Sequence, residues 1–140
     1  MNATYLRLLF GCTLMAVACY TAWRVGDLPQ RRIGVLVAIC WVLTTIGEFA
    51  TGRQAEPVMI GDAVFGLGLL WFAWRYNTIW LWLMICLEAA LFFLHAAVYQ
   101  AGQPPNAIQA VGNNILATLG LIVLVVASLL DWRRRQHAPT

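Results

Sequence analysis

Five apolar runs, each close to twenty residues and each closed by a short polar break, constrain this chain more than any other feature. They cover residues 5–23, 33–50, 58–74, 79–98 and 108–130. An α-helix needs about 20 apolar residues to cross about 30 Å of hydrocarbon, so each run matches one crossing. The breaks are "RVGDLPQRR", "TGRQAEP", "RYNT" and "AGQPPN", all rich in turn-forming or charged residues. Residues 58–98 cannot be one crossing, because such a helix would span roughly two bilayers. The third run, with Gly61, Gly66 and Gly68, is the shortest.

Composition agrees with that reading. The 140 residues are 61% hydrophobic and 11% charged, whereas a soluble domain has about 45–50% apolar and about 25% charged residues. A chain of this length makes one ordinary domain, and a larger core does not explain such an excess. The sequence therefore predicts an all-α integral membrane protein. It is expected to be a single transmembrane domain over 1–140, a five-span helical bundle with short loops and a basic tail at 131–140.

Arginine sets the expected orientation. All nine cationic side chains are Arg. With five spans, Arg24, Arg31, Arg32, Arg75, Arg133, Arg134 and Arg135 fall on one side and only Arg7 and Arg53 on the other. The positive-inside rule then puts the C-terminus in the cytoplasm and the N-terminus outside, as expected for a multi-pass inner-membrane protein. Tryptophan points the same way. Trp23, Trp71, Trp74, Trp80, Trp82 and Trp132 fall at the ends assigned to the cytoplasmic interface, where indole prefers to sit. A signal-peptide reading of residues 1–19, ending in "AVAC", would put Arg24, Arg31 and Arg32 outside, and the apolar run continues past Cys19 to Trp23.

Cys12, Cys19, Cys40 and Cys86 all lie in apolar runs without Cys-x-x-Cys or Cys/His spacing. They read as small buried hydrophobes rather than metal ligands. No cofactor and no metal are expected.

Polar residues inside the spans are the candidates for function. Glu88 lies at the middle of "LWLMICLEAALFFLHAAVYQ". A central carboxylate costs roughly 2.5–3.5 kcal/mol on insertion scales, while each Leu, Ile, Phe or Val returns about 0.3–0.6. Ile79, Leu81, Leu83, Ile85, Leu87, Leu91, Phe92, Phe93, Leu94 and Val98 offset it. Insertion tolerates Glu88 without explaining it. His95 lies seven residues on, along the same helix face and ~10 Å nearer the outside.

The threading gathers further polar groups in the outer half. Glu48 lies one turn below the outer end of the second span, Asp62 enters the third, and Asn113 and Asn114 lie two turns into the fifth. Arg7 and Arg53 are the available ion-pair partners; without one, a carboxyl there would be neutral. A solvated or snorkelling role for Glu48, Asp62, Arg7 and Arg53, and interhelical hydrogen bonds for Asn113 and Asn114, stand beside any ligand role. Ala110, Asn113, Ala117 and Gly120 in the fifth run, and Gly61, Ala63, Gly66 and Gly68 in the third, suit close helix packing. Arg133, Arg134 and Arg135 form a polybasic anchor for anionic headgroups, too short to imply nucleic-acid binding.

Three functions remain open at this level. The first is a non-enzymatic accessory, assembly or scaffold subunit acting within the bilayer, as a homo-oligomer or with another membrane protein. The second is a small pore-former of the phage-holin type. The third is a proton- or small-ligand-handling protein using Glu88 and His95. Internal repeats of the transporter kind are absent, and one intramembrane His cannot supply the paired axial ligands of a membrane cytochrome.

Overall fold

The computed structural model describes residues 3–51, 55–102 and 107–137. They form five helices: α1 (Ala3–Val25), α2 (Leu28–Thr51), α3 (Ala55–Tyr76), α4 (Ile79–Ala101) and α5 (Ala107–Gln136). There is no strand among the described residues. Helix is what apolar runs of this length dictate in lipid, because it satisfies every backbone N–H and C=O within the segment.

Most boundaries lie within about three residues of the sequence expectation, and two lie further from it. Helix α2 begins at Leu28 rather than 33, so Pro29, Arg31 and Arg32 are helical. Pro29 falls in the first turn, where its missing N–H breaks no helical bond. Only Gly26 and Asp27 separate α1 from α2. Helix α5 continues through the basic tail to Gln136, which fits the good helix propensity of Arg. Between α3 and α4 the chain turns through Asn77, whose φ of 44° lies in the left-handed region, and extended Thr78. Asn tolerates that region better than most residues.

Consecutive helices pack side by side, and α1 packs on α5 to close a ring; α2 and α5 also touch. The ends of α1, α3 and α5 therefore meet the starts of α2 and α4 at one end of the bundle, the tail end. At that end Arg32 Nη1 donates to the Tyr76 hydroxyl over 2.9 Å. The fully buried core lies in the same half: Ala22, Ile33, Leu69, Ala73, Leu81, Met84 and Leu124. Helices come close where glycine removes a side chain. A Cβ on Gly68 would lie 2.6 Å from Leu36 Cδ2, and one on Gly61 would collide with Thr44 Oγ1.

Outward faces are hydrocarbon. Ile79, Leu67, Ile60 and Phe93 are among many large apolar side chains left exposed. Among the described residues, four helical stretches are long and apolar enough to cross a membrane: Leu28–Gly47, Pro57–Tyr76, Ile79–Ala101 and Ile108–Gln136. The described apolar part of α1, Leu9–Val25, is shorter. Trp23, Trp74, Trp82 and Trp132 are exposed near the tail end, at the level expected of an interfacial belt.

Candidate functional site

The end opposite the tail holds a polar network that joins three helices. Asp62 lies two turns into α3, His95 two turns before the end of α4, and Asn113 two turns into α5. His95 Nδ1 is hydrogen-bonded to Asp62 Oδ2, and His95 Nε2 lies 2.9 Å from Asn113 Oδ1. The side chains of His95 and Asp62 are only 16% and 13% exposed, so the contact is largely shielded from solvent and lipid. Each of these residues repeats an inward position of its own helix: His95 follows Leu91 and Asn113 precedes Leu124, both buried.

Hydrogen-bond accounting fixes how this group can hold protons. Asn113 Oδ1 can only accept, so His95 Nε2–H donates to it. Nδ1 then either donates to an ionised Asp62 or accepts from a protonated one. In both cases the Asp62–His95 pair is electrically neutral as a whole, which suits a low-dielectric interior. Reversing the Asn113 amide would instead offer N–H to Nε2 and leave the pair with a net negative charge.

Glu88 is two turns deeper along α4, on the stripe of buried Leu81, Met84 and Leu91. It packs over Gly66 of α3, where an added Cβ would be 3.7 Å from Glu88 Cγ. Glu88 has no hydrogen bond or ion pair with the described residues. Among the described residues, Asp62 and the buried Cys40 of α2 lie within electrostatic reach of its carboxyl. Glu88 and His95 thus share one face, but Asp62 and Asn113, not Glu88, are the partners of the imidazole.

Asn114 is turned away from this group. It is exposed and borders a shallow groove on the outer face of α5 with Val111, Ile115, Thr118 and Leu119. Glu48 and Arg7 lie in α2 and α1, with side chains outside the described residues, and Arg53 lies outside them altogether. Among the cysteines, Cys40 is buried and Cys86 faces outward. The Cys19 thiol donates to the Gly34 carbonyl over 3.3 Å, a contact between α1 and α2. No group of three or more metal-ligating side chains occurs among the described residues.

A second polar cluster, unforeseen in the sequence, ties the tail end together. Arg135 pairs with Asp27 and donates to the Val25 carbonyl. Gln30, buried at 1% exposure, donates from Nε2 to Asp131. Arg134 lies 3.6 Å from the same Asp131, and Arg133 is exposed. The signal was present: Asp27 and Asp131 are the only acids in the two segments that the threading places beside the tail arginines.

Fold and site together define an all-helical bundle with membrane-crossing character and a shielded Asp–His–Asn network. No family model matches the sequence, no curated protein matches it, and no solved structure matches it.

Proposed function

We propose that this chain is a small polytopic inner-membrane protein, N-terminus outside and C-terminus cytoplasmic, that serves as a non-enzymatic accessory, assembly or scaffold subunit within the bilayer. The observation that carries the reading is the Asp62–His95–Asn113 network. Its three side chains hydrogen-bond to one another across α3, α4 and α5, the use that interhelical polar groups most often serve in membranes. The apolar packing of Ile33, Leu69, Leu81 and Leu124 in the tail half fits a solid bundle better than a pore through one chain. With apolar faces outward, recognition of a partner takes place in the membrane plane.

The test is extraction of the tagged full chain from its native membrane in a mild detergent. A stoichiometric membrane partner, or a defined homo-oligomer, is the expected outcome. A lone monomer that retains its native activity would overturn the reading.

One observation favours a second reading, proton handling. Glu88 lies on the His95 face without a hydrogen-bonded or ion-pair partner among the described residues, and an intramembrane carboxyl is a functional candidate by position. Glu88→Gln separates the two. In a scaffold it leaves partner binding intact; in a proton-handling protein it abolishes function while insertion and fold persist.

A further inference from the structure

The outer face of α5 carries a polar group that no described residue of the bundle satisfies. Val111, Ile115, Ile122, Val126 and Leu129 form a stripe of exposed apolar side chains along one face of the helix, stepping by three, four or seven residues as a helix-packing seam does. Such a stripe alone is what lipid contact requires. Asn114 is different. It is exposed beside the stripe, in the second turn of a helix apolar enough to cross a membrane. It takes part in no hydrogen bond with the described residues, although its carboxamide offers two donors and an acceptor. Thr118, one turn further on, lines the same shallow groove.

We infer that this face of α5 is a self-association surface, with a second copy of the chain as its occupant and Asn114 paired to Asn114 across a two-fold axis. Two copies inserted in the same orientation hold this residue at the same depth, so the amides meet without any search for register. A carboxamide is also its own complement, since each donates to the other's oxygen. One Asn in a largely apolar seam is known to specify register and oligomeric state, and an amide held within the hydrocarbon layer would have to find its hydrogen bonds on a neighbouring helix. Glu88, His95 and Asp62 lie away from this surface. The interface therefore adds to the scaffold reading and stands without it.

The test uses the full chain in liposomes, as two populations carrying donor and acceptor fluorophores at the C-terminus, with energy transfer followed over a range of protein-to-lipid ratios. The wild type should associate as a dimer. Asn114→Val should weaken the dimer roughly three- to thirty-fold, the range expected for loss of interhelical polar pairing. Asn114→Gln, which keeps both donor and acceptor, should retain most of the association, and Leu70→Ala on the outer face of α3 should leave it unchanged. Circular dichroism on each variant separates loss of pairing from loss of fold. A wild type that stays monomeric at every ratio would overturn the inference. So would an Asn114→Val chain that associates like the wild type, or association that depends on a different membrane protein.

Discussion

Asn113 and Asn114 are neighbours in the sequence but face opposite environments. Asn113 Oδ1 accepts a hydrogen bond from His95 Nε2 over 2.9 Å inside the bundle, whereas Asn114 is exposed on the outer face of α5. The 100° turn between successive helical residues is enough to separate them. Asn113→Ala should therefore destabilise the fold by about 0.6–2 kcal/mol, the range of interhelical polar contacts in membranes. Asn114→Ala should change monomer stability by less than about 0.5 kcal/mol, as exposed substitutions do. Denaturant unfolding in a mild detergent at low protein concentration reads both.

Glu88→Gln is expected to leave the fold intact. The carboxyl has no hydrogen-bonded partner among the described residues, so no interaction is broken, and the amide fits over Gly66 as the carboxyl does. Glu88→Leu should improve insertion by roughly 3–4 kcal/mol, the sum of the charge cost removed and the apolar gain. A glycosylation or fusion-reporter insertion assay on the fourth span measures it.

At the tail end, the Asp27–Arg135 pair is about half exposed on both sides, at 47% and 44%. Water and salt screen such a pair, so a double-mutant cycle with Asp27→Asn and Arg135→Gln should return a coupling of about 0–1 kcal/mol. The coupling should shrink as ionic strength rises. Unfolding midpoints at low and high salt provide the check.

Glycines in the bundle should divide by what surrounds them. A Cβ on Gly61 would meet Thr44 Oγ1, whose hydroxyl is held 2.8 Å from the Cys40 carbonyl. A Cβ on Gly120 would meet nothing within 4 Å. Gly61→Ala should thus cost about 1–3 kcal/mol through overpacking, while Gly120→Ala should be neutral or stabilise by up to about 1 kcal/mol through helix propensity. Comparing the two thermal midpoints tests the close approach of α2 and α3.

Much of the fold was legible because one physical demand, twenty apolar residues per crossing, leaves its mark directly on the sequence. The helical elements and the turns at Asn77 and Gly102 follow from that pattern. The start of α2 was not legible, because Pro29 reads as a breaker unless its place in the first turn is known. The helical tail was hidden for a related reason: Asp131–Gln136 is polar, and polarity says little about helicity when Arg predominates. Depth was enough to group Asp62, His95 and Asn113 at one end, but pairing depends on how each helix is rotated. For adjacent Asn113 and Asn114, depth is nearly the same, and only packing decides which faces inward. The link between Asp27 and Arg135 required knowing that α1 and α5 are neighbours, and ring closure is a property of the whole bundle.

The most direct measurement is a double-mutant cycle on Asp62 and His95, with Asp62→Asn, His95→Phe and the double variant unfolded reversibly in mild detergent. If the network holds α3 to α4, each single change destabilises and the pair is coupled by at least about 0.6 kcal/mol, with partner association reduced in step with stability. Additive effects, or single variants as stable as the wild type that nevertheless lose function, would contradict the account and assign these residues to chemistry rather than to assembly.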